Sequence, residues 1–164
     1  MQPGLIFGIF QDIMSVYDIC GDGRNMESTI RAMTAADRSA VLEMMRVFYA
    51  SPAVLSNGSE EIFAADIDNC VNNNPYLEGY IIENAREIQG YGMVAKSFST
   101  EFGKPCIWIE DLYLKDAYRG LGLGKVFLDF LAEKYAGCLL RLEVEDENAR
   151  AMKLYKKCGF EVLP

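Results

Sequence analysis

A glycine-rich segment between an apolar strand and an amphipathic helix carries the residues best suited to chemistry in this chain. From Arg119 to Lys125 it is Arg-Gly-Leu-Gly-Leu-Gly-Lys. A glycine turn that opens a helix gathers unpaired backbone N–H groups at the positive end of the helix dipole. Glycine lets a phosphate approach the backbone closely, and the two flanking cations add charge. The segment therefore predicts a pyrophosphate site, formed by Arg119, Gly120, Leu121, Gly122, Leu123, Gly124 and Lys125.

Two common phosphate-binding patterns do not fit this segment. A Walker loop requires glycine at position 119 and Ser or Thr at position 126, where the chain has Arg119 and Val126. A dinucleotide fingerprint that starts at Gly120 lacks its third glycine, and one that starts at Gly122 meets Phe127. The pattern that remains is Arg-x-x-Gly-x-Gly. On this segment alone, ordinary turn chemistry at a helix start stays an alternative.

A second pattern follows the loop. Residues 148–160 follow the pattern Asn-x-x-Ala-x-x-Leu-Tyr-x-x-x-Gly-Phe. The two patterns, in this order, resemble those of the GNAT N-acetyltransferases, and the similarity spans roughly residues 28–164. The resemblance implies an α/β (α+β) GNAT fold, with a central mixed, mostly antiparallel sheet and helices on both faces. It also implies acetyl-coenzyme A (acetyl-CoA) as cosubstrate, with its pyrophosphate on the loop.

The resemblance assigns roles to residues outside the loop. Backbone groups of Leu112, Tyr113 and Leu114 would pair with the pantetheine arm like an added strand. Asn148 would help to hold this arm, although its side chain could instead cap the helix, and the two roles are compatible. Tyr155 matches the tyrosine that gives a proton to the departing thiolate, which its ordinary pKa near 10 allows. Helical spacing alone would have assigned Tyr155 to the core.

Glu110 and Asp111 interrupt an otherwise apolar strand, where charges are costly unless they pair or react. Strand alternation places Glu110, and not Asp111, on the face shared by Trp108 and Leu112. The strand and loop together are similar to the spermidine/spermine branch of the family, in which the matching glutamate takes the proton of the amine through water. We therefore predict Glu110 as the base, with a structural carboxylate as the alternative, and a structural role for Asp111.

Composition limits the other classes of function. The 164 residues suit one domain with its own core, and no apolar run is long enough to span a bilayer. The chain has no histidine, which excludes a His-dependent triad and argues against a catalytic zinc site, so no metal is expected. The net charge of −8 argues against nucleic-acid binding and favours cationic partners, although solubility alone also explains it. Five widely spaced cysteines favour reduced thiols in the cytoplasm.

Periodicity and turn residues predict the order of elements. Helices are expected at about 35–50, 59–73, 122–136 and 148–158. Strands are expected at about 77–83, 89–99 and 107–114, as an antiparallel meander, then at 139–144 and from Phe160. Acidic residues on the second helix are either a solvated face or an acidic wall toward an amine; they are Glu60, Glu61, Asp66 and Asp68.

The two ends of the chain raise a structural question. Residues 1–25 are interpreted as an N-terminal extension outside the family match, and residues 26–164 as the acetyltransferase domain. The family inserts a seventh strand between its fifth and sixth strands, and the sequence printed here stops shortly after Phe160. An open strand edge invites association. We therefore expect either that residues 4–17 pack against the C-terminal half of the sheet or that the protein is a homodimer.

Together these observations predict a cytoplasmic enzyme that moves an acetyl group from acetyl-CoA to a primary amine of a small molecule. A polyamine or an amino-sugar is the expected acceptor, attacked directly in a ternary complex because no nucleophile occupies a recognisable position. Two alternatives are an acetyltransferase acting on a protein or peptide amine and a non-catalytic acyl-CoA-binding regulatory module. No nucleic acid or membrane is expected as a partner.

Overall fold

One sheet with a core on each face accounts for the architecture. The computed structural model describes residues 4–8, 28–54, 58–85 and 87–162. The strands are β1 (Gly4–Gly8), β2 (Thr29–Ala32), β3 (Leu77–Glu83), β4 (Ile88–Ser99), β5 (Lys104–Leu114), β6 (Leu139–Val144) and β7 (Phe160–Val162). The helices are α1 (Arg38–Tyr49), α2 (Glu60–Val71), α3 (Leu123–Lys134) and α4 (Ala149–Lys157).

The strands form one seven-stranded sheet in the order β2-β3-β4-β5-β6-β1-β7. Among the described pairs, β5 and β6 run parallel and the others antiparallel. This confirms the predicted mixed, mostly antiparallel sheet and the predicted meander of β3, β4 and β5. The predicted element limits hold to within a few residues. The predicted cap of α2 is also present, since the Ser59 hydroxyl accepts a hydrogen bond from the backbone N–H of Ile62 at 3.4 Å.

Apolar side chains on the helix stripes fill both faces of the sheet. Helices α1 and α2 cover one face, where Val41, Met45 and Ile67 pack against strand residues that include Ile81 and Tyr91. Helices α3 and α4 cover the other face with a second cluster, which includes Phe127, Leu128, Leu131, Tyr155, Val94 and Leu142. Burial of each such side chain contributes roughly 1.5–3 kcal/mol, so these two clusters hold the helices to the sheet.

Strand β1 lies inside the sheet, between β6 and β7 and antiparallel to both. Gly4 lies opposite Val144 and Gly8 opposite Leu140, so every residue of the strand has a partner on β6. This confirms, for residues 4–8, the expectation that an N-terminal segment covers the open strand edge. The rest of the predicted segment, residues 9–17, lies outside the described residues. The homodimer and the division of the chain at residue 25 stay predictions.

Strand β1 provides a first test of the fold. Ile6→Pro removes a backbone N–H from a strand that has neighbours on both sides. An unmade buried hydrogen bond costs about 1–3 kcal/mol, which corresponds to a decrease in Tm of roughly 3–10 °C for a domain of this size. Ile6→Val keeps the N–H and serves as the control in thermal unfolding. A proline variant as stable as the parent would show that β1 is not paired in solution.

Candidate active site

Strands β5 and β6 pair only over part of their length and then separate. The parallel register runs from Cys106 opposite Leu139 to Ile109 opposite Leu142. Beyond Ile109, β5 continues to Leu114 beside β4, whereas no described strand pairs with its other edge. The N–H and C=O groups of residues 110–114 on that edge can therefore pair with an extended ligand that lies like an added strand.

A β-bulge lies where the two strands separate. Met93 on β4 lies opposite Asp111, and the next residue, Val94, lies opposite Ile109, so Glu110 is the extra residue. The prediction that Glu110 shares a face with both Trp108 and Leu112 is therefore wrong. Leu112 packs into the cluster under α3 and α4, together with Ile107 and Ile109.

The bulge also changes the interpretation of the adjacent carboxylate. In the sequence Trp108 stands between Ile107 and Ile109 of the α3/α4 cluster, so its side chain points to the opposite face of the sheet. The Asp111 side chain reaches that same face, where it bonds Tyr49 of α1. Strict alternation fails here because the bulge adds one residue to β5. Every later side chain of the strand therefore lies on the face opposite to the one that alternation predicts. An adjacent Glu-Asp pair inside an apolar strand was the sequence signal for this irregularity.

A groove of about 710 Å³ runs along the open edge of β5. It brings together all the predicted cofactor residues except Leu121, whose side chain is 63% exposed and outside the lining. Tyr155 lines the groove. Glu110 is not part of the lining, and in the sequence it stands two residues before Leu112, which is. Two walls of the groove were not predicted from the sequence. One is the end of α1 and the turn after it, with Phe48, Ser51, Pro52 and Ala53. The other is a cationic wall on α4, formed by Arg150, Lys153 and Lys157.

The glycines of the loop serve two different purposes. Gly120 and Gly122 have φ of +86° and +85°, which favour glycine, and Gly122 is the N-cap of α3. A Cβ atom at Gly122 would meet no atom within 4 Å, so the backbone angle and not crowding selects this glycine. A Cβ atom at Gly124 would lie 2.7 Å from Leu154 Cδ2. Gly124 therefore lets α4 approach the start of α3.

The cations of the loop already have partners. Arg119 Nε donates to the carbonyl oxygen of Leu114 at 2.8 Å, and its Nη1 lies 2.6 Å from Asp116. Lys125 Nζ lies 2.5 Å from Asp129. The first bond ties the loop to the end of β5, so the open strand edge and the glycine turn have a defined relative position.

Tyr155 is almost fully buried at 9% exposure, and its ring packs against Phe160 at a centroid distance of 5.7 Å. Its burial raises the pKa of the hydroxyl to about 12, so it stays protonated at neutral pH. Asn148 accepts a hydrogen bond from the backbone N–H of Ala151 at 3.2 Å and thus caps α4. It also lines the groove, so the cap leaves its predicted role at the cofactor arm possible.

Asp111 is a buried carboxylate, 4% exposed, held by two tyrosines. The Tyr49 hydroxyl donates to Oδ1 at 3.0 Å, and the Tyr91 hydroxyl donates to Oδ2 at 2.8 Å. Burial raises its pKa to about 6, although both hydrogen bonds oppose the shift. These bonds connect α1, β4 and β5 beside the bulge and favour the structural role predicted for Asp111.

Glu110 lies exposed on the same bulge. Partial loss of water around its carboxylate raises its pKa, and the charges of Glu143 and Asp66 raise it further. Asp66 is half-buried on α2, and its own pKa is raised by burial. Within the described residues, no group of three or more Cys, Asp or Glu side chains is arranged to hold a metal ion.

Two of the other acidic residues on α2 form ion pairs across to α1. Glu60 bonds Arg46 at 2.5 Å, and Asp68 bonds Arg38. All four side chains in these two pairs are at least 41% exposed, so this part of α2 is a solvated face. Of the acidic wall considered from sequence, Asp66 is the member close to Glu110 and Asp111, since its charge affects the pKa of both.

Comparison with known proteins places this arrangement in a family. Residues 41–160 match the model of the acetyltransferase (GNAT) family. The chain belongs to this family. The GNAT chain is 44% identical over 79 residues to the thialysine N-epsilon-acetyltransferase of Bos taurus, a match that covers 46% of each protein. The chain thus spans about half the length of that relative.

Two longer matches of this GNAT chain are more distant in sequence. It is 27% identical over 144 residues to the spermine/spermidine N(1)-acetyltransferase of Bacillus subtilis (strain 168), covering 83% of the chain and 89% of that protein. It shares the fold of the aminoglycoside N-acetyltransferase AAC(6')-Iy in complex with CoA, with a TM-score of 0.68, 16% identity and coverage of 84% and 90%. No helix in the described parts of the chain is both long and apolar enough to cross a bilayer.

The loop glycine Gly122 can be tested against a matched control. Gly122→Ala and Gly137→Ala both place a side chain at a φ near +85° with no atom within 4 Å, but only Gly122 lines the groove. Each should lower the free energy of unfolding by about 1 kcal/mol. Only Gly122→Ala should weaken CoA binding in calorimetry. Equal CoA affinity in the two variants would contradict a phosphate site on this loop.

The raised pKa of Asp111 makes a prediction about pH. An unfolded aspartate titrates near 3.9, whereas Asp111 titrates at about 6 in the fold. The contribution of its protonated form to stability is therefore complete below about pH 4 and is lost as the pH rises through 6. Asp111→Asn removes this titration, so its stability relative to the parent should rise by about 2–3 kcal/mol from pH 4 to 7.

Urea unfolding at several pH values measures this difference. Asp146→Asn, which makes the same substitution at an exposed aspartate, serves as the control. A difference between Asp111→Asn and the parent that does not change with pH would contradict the raised pKa.

Proposed function

We propose that this protein transfers the acetyl group of acetyl-CoA to a primary amine of a small molecule of the polyamine or amino-sugar type. The observation that carries the proposal is the continuity of the groove. It joins the glycine loop, the open edge of β5 and the Tyr155 side chain. Family membership and the thialysine and spermine/spermidine acetyltransferases among its relatives support the same reaction.

The residues present fit acetyl-CoA, which supplies an acetyl thioester when bound. Backbone N–H groups at Gly120–Lys125, at the start of α3, suit the diphosphate. The unpaired edge at Leu112, Tyr113 and Leu114 suits the amides of the pantetheine arm. Asn148 lines the same groove as a further polar group.

Tyr155 acts as the general acid in this proposal. A hydroxyl with a pKa of about 12 is fully protonated at neutral pH, so it can donate a hydrogen bond to the sulfur as the carbon–sulfur bond breaks. The conjugate thiol of CoA has a pKa near 8.5, so this hydroxyl stabilises the departing thiolate, and a proton that it transfers to the sulfur is regained from solvent. No described residue hydrogen-bonds the hydroxyl, so its proton is available to a group bound in the groove.

Glu110 takes the proton of the acceptor amine, directly or through water. A raised pKa makes its carboxylate a better base near neutral pH than an ordinary glutamate. Direct attack by the amine fits the thiols of this chain. Cys158 is buried, and burial raises the pKa of its thiol, so it lacks the lowered pKa of a cysteine nucleophile. The charges of Glu143 and Asp66 near Glu110 favour a cationic acceptor close to the bulge.

Two other functions remain to be tested against this one: acetylation of a protein or peptide amine, and acyl-CoA binding without turnover. Thiol release should be measured with acetyl-CoA and a panel of polyamines, amino-sugars, lysine analogues and lysine-containing peptides. The proposal expects turnover with at least one small amine and little with peptides. CoA binding without thiol release from any amine would support the regulatory module.

The cytoplasmic location is proposed on the free thiols, and the homodimer on the sequence argument alone.

Tyr155→Phe provides the sharpest test of the acid. The substitution keeps the ring that packs against Phe160 and removes only the hydroxyl. Stability should change little, while kcat should fall roughly ten- to a thousand-fold, in the range of lost acid catalysis. Tyr76→Phe, at a tyrosine 70% exposed and outside the groove lining, is the control for thiol release. Full activity of the Tyr155→Phe variant would show that Tyr155 has only a packing role in the core.

A further inference from the structure

Helix α4 presents a cationic stripe to the groove. Arg150, Lys153 and Lys157 line the groove at positions i, i+3 and i+7 of the helix. This spacing places them on one side of α4, around Leu154, which contacts the start of α3 at Gly124. All three cations are exposed. We call these three residues the α4 cations.

The α4 cations are not neutralised within the fold. Arg119 and Lys125 of the loop each form an ion pair, with Asp116 and Asp129. None of the α4 cations forms an ion pair or a hydrogen bond with the described residues. Glu147 also lines the groove, one turn before Arg150, without pairing with it. Three unpaired cations side by side, in a chain of net charge −8, repel one another unless an anion lies between them.

The α4 cations begin beside the glycine loop, at Arg150, and continue along the helix beyond the loop. A Cβ atom at Gly120 would lie 3.4 Å from Arg150 Nη2, so this guanidinium group lies over the glycine turn. Lys157 is seven residues further along, roughly 10 Å at 1.5 Å per residue. The loop N–H groups already suit a diphosphate. Lys153 and Lys157 are therefore available to a second anionic group of the same ligand, separated from the diphosphate by one sugar. In CoA that group is the 3′-phosphate on the ribose, a dianion or nearly so at neutral pH.

We propose that the α4 cations form a subsite for the 3′-phosphate of CoA, with Lys153 and Lys157 as its main contacts. Through it the protein selects CoA thioesters over the 3′-dephospho compounds. The inference rests on the proposed function, because it takes the ligand of the groove to be acetyl-CoA. It adds that this chain recognises both ends of the nucleotide, the diphosphate by backbone groups and the monophosphate by side chains.

The test compares two ligands that differ only in this phosphate. Binding of CoA and of 3′-dephospho-CoA is measured by titration calorimetry at constant ionic strength, which screens all charges equally. The proteins are the parent, the double variant Lys153→Ala with Lys157→Ala, and the control Lys156→Ala. Lys156 carries the same charge on the same helix but does not line the groove. Alanine suits a helix, so the variants should fold, which Tm verifies.

The parent should bind CoA roughly ten- to a hundredfold more tightly than 3′-dephospho-CoA, the range for charge-assisted hydrogen bonds to one phosphate. In the double variant this ratio should fall toward one, chiefly by weaker CoA binding, and Lys156→Ala should keep the parental ratio. Equal affinity of the parent for both ligands would overturn the subsite while leaving the proposed function intact. So would an unchanged ratio in the double variant. Absence of binding by either ligand would overturn both proposals.

Discussion

The separation of β5 from β6 beyond Ile109 is the constraint on which the rest of the site depends. A central strand normally satisfies its backbone groups on both sides, and here one side of residues 110–114 is left without a strand. The bulge at Glu110 lies at the same point. Its extra residue bends β5 and increases the twist of the strand, which turns it away from β6. The groove, the acidic side chains beside it and the approach to the glycine loop all follow from this single departure from regular pairing.

On the other side of the opening, the end of β6 beyond Leu142 pairs with β1 and no longer with β5. Without β1, Glu143 and Val144 would have no described strand on either side, and β7 would be separate from the sheet. A strand from the N-terminal end of the chain therefore completes the pairing on one side of the opening, while the edge of β5 on the other side stays unpaired. Since α4 follows directly on β6, the positions of Tyr155 and of the α4 cations depend on the same pairing.

Charge is divided between the two sides of the opening. The loop and α4 carry the cations of the groove, whereas Glu110, Asp111, Asp66 and Glu143 lie around the bulge, on the side of α1 and α2. A net charge of −8 conceals this division. Opposite local charges suit two ligands of opposite sign, an anionic cosubstrate and a cationic acceptor, that must meet where β5 and β6 part. The buried Asp111, bonded by Tyr49 and Tyr91, holds α1 against the sheet at this meeting point.

The sequence by itself determined the features that depend on neighbours along the chain. The glycine turn, the stripes of the helices, the cap at Ser59 and the family patterns around Gly122 and Tyr155 are local, because positive φ, capping and the 3.6-residue period act over a few residues. These were enough to predict the order of elements and most of the groove.

Only the tertiary structure decided the features that depend on pairing between distant segments. The register of β4 against β5 created the bulge and placed Trp108 and Leu112 on opposite faces, whereas alternation along one strand predicts the same face for both. Packing of α1 and α4 around the open edge brought Phe48 and Lys153 into one groove, although more than a hundred residues separate them in the chain. Likewise the sequence left open whether an N-terminal segment or a partner chain covers the open edge, and the pairing of residues 4–8 with β6 and β7 became visible only in the assembled sheet. Contacts of this kind are set by the shape of the assembled sheet, and no local propensity encodes them.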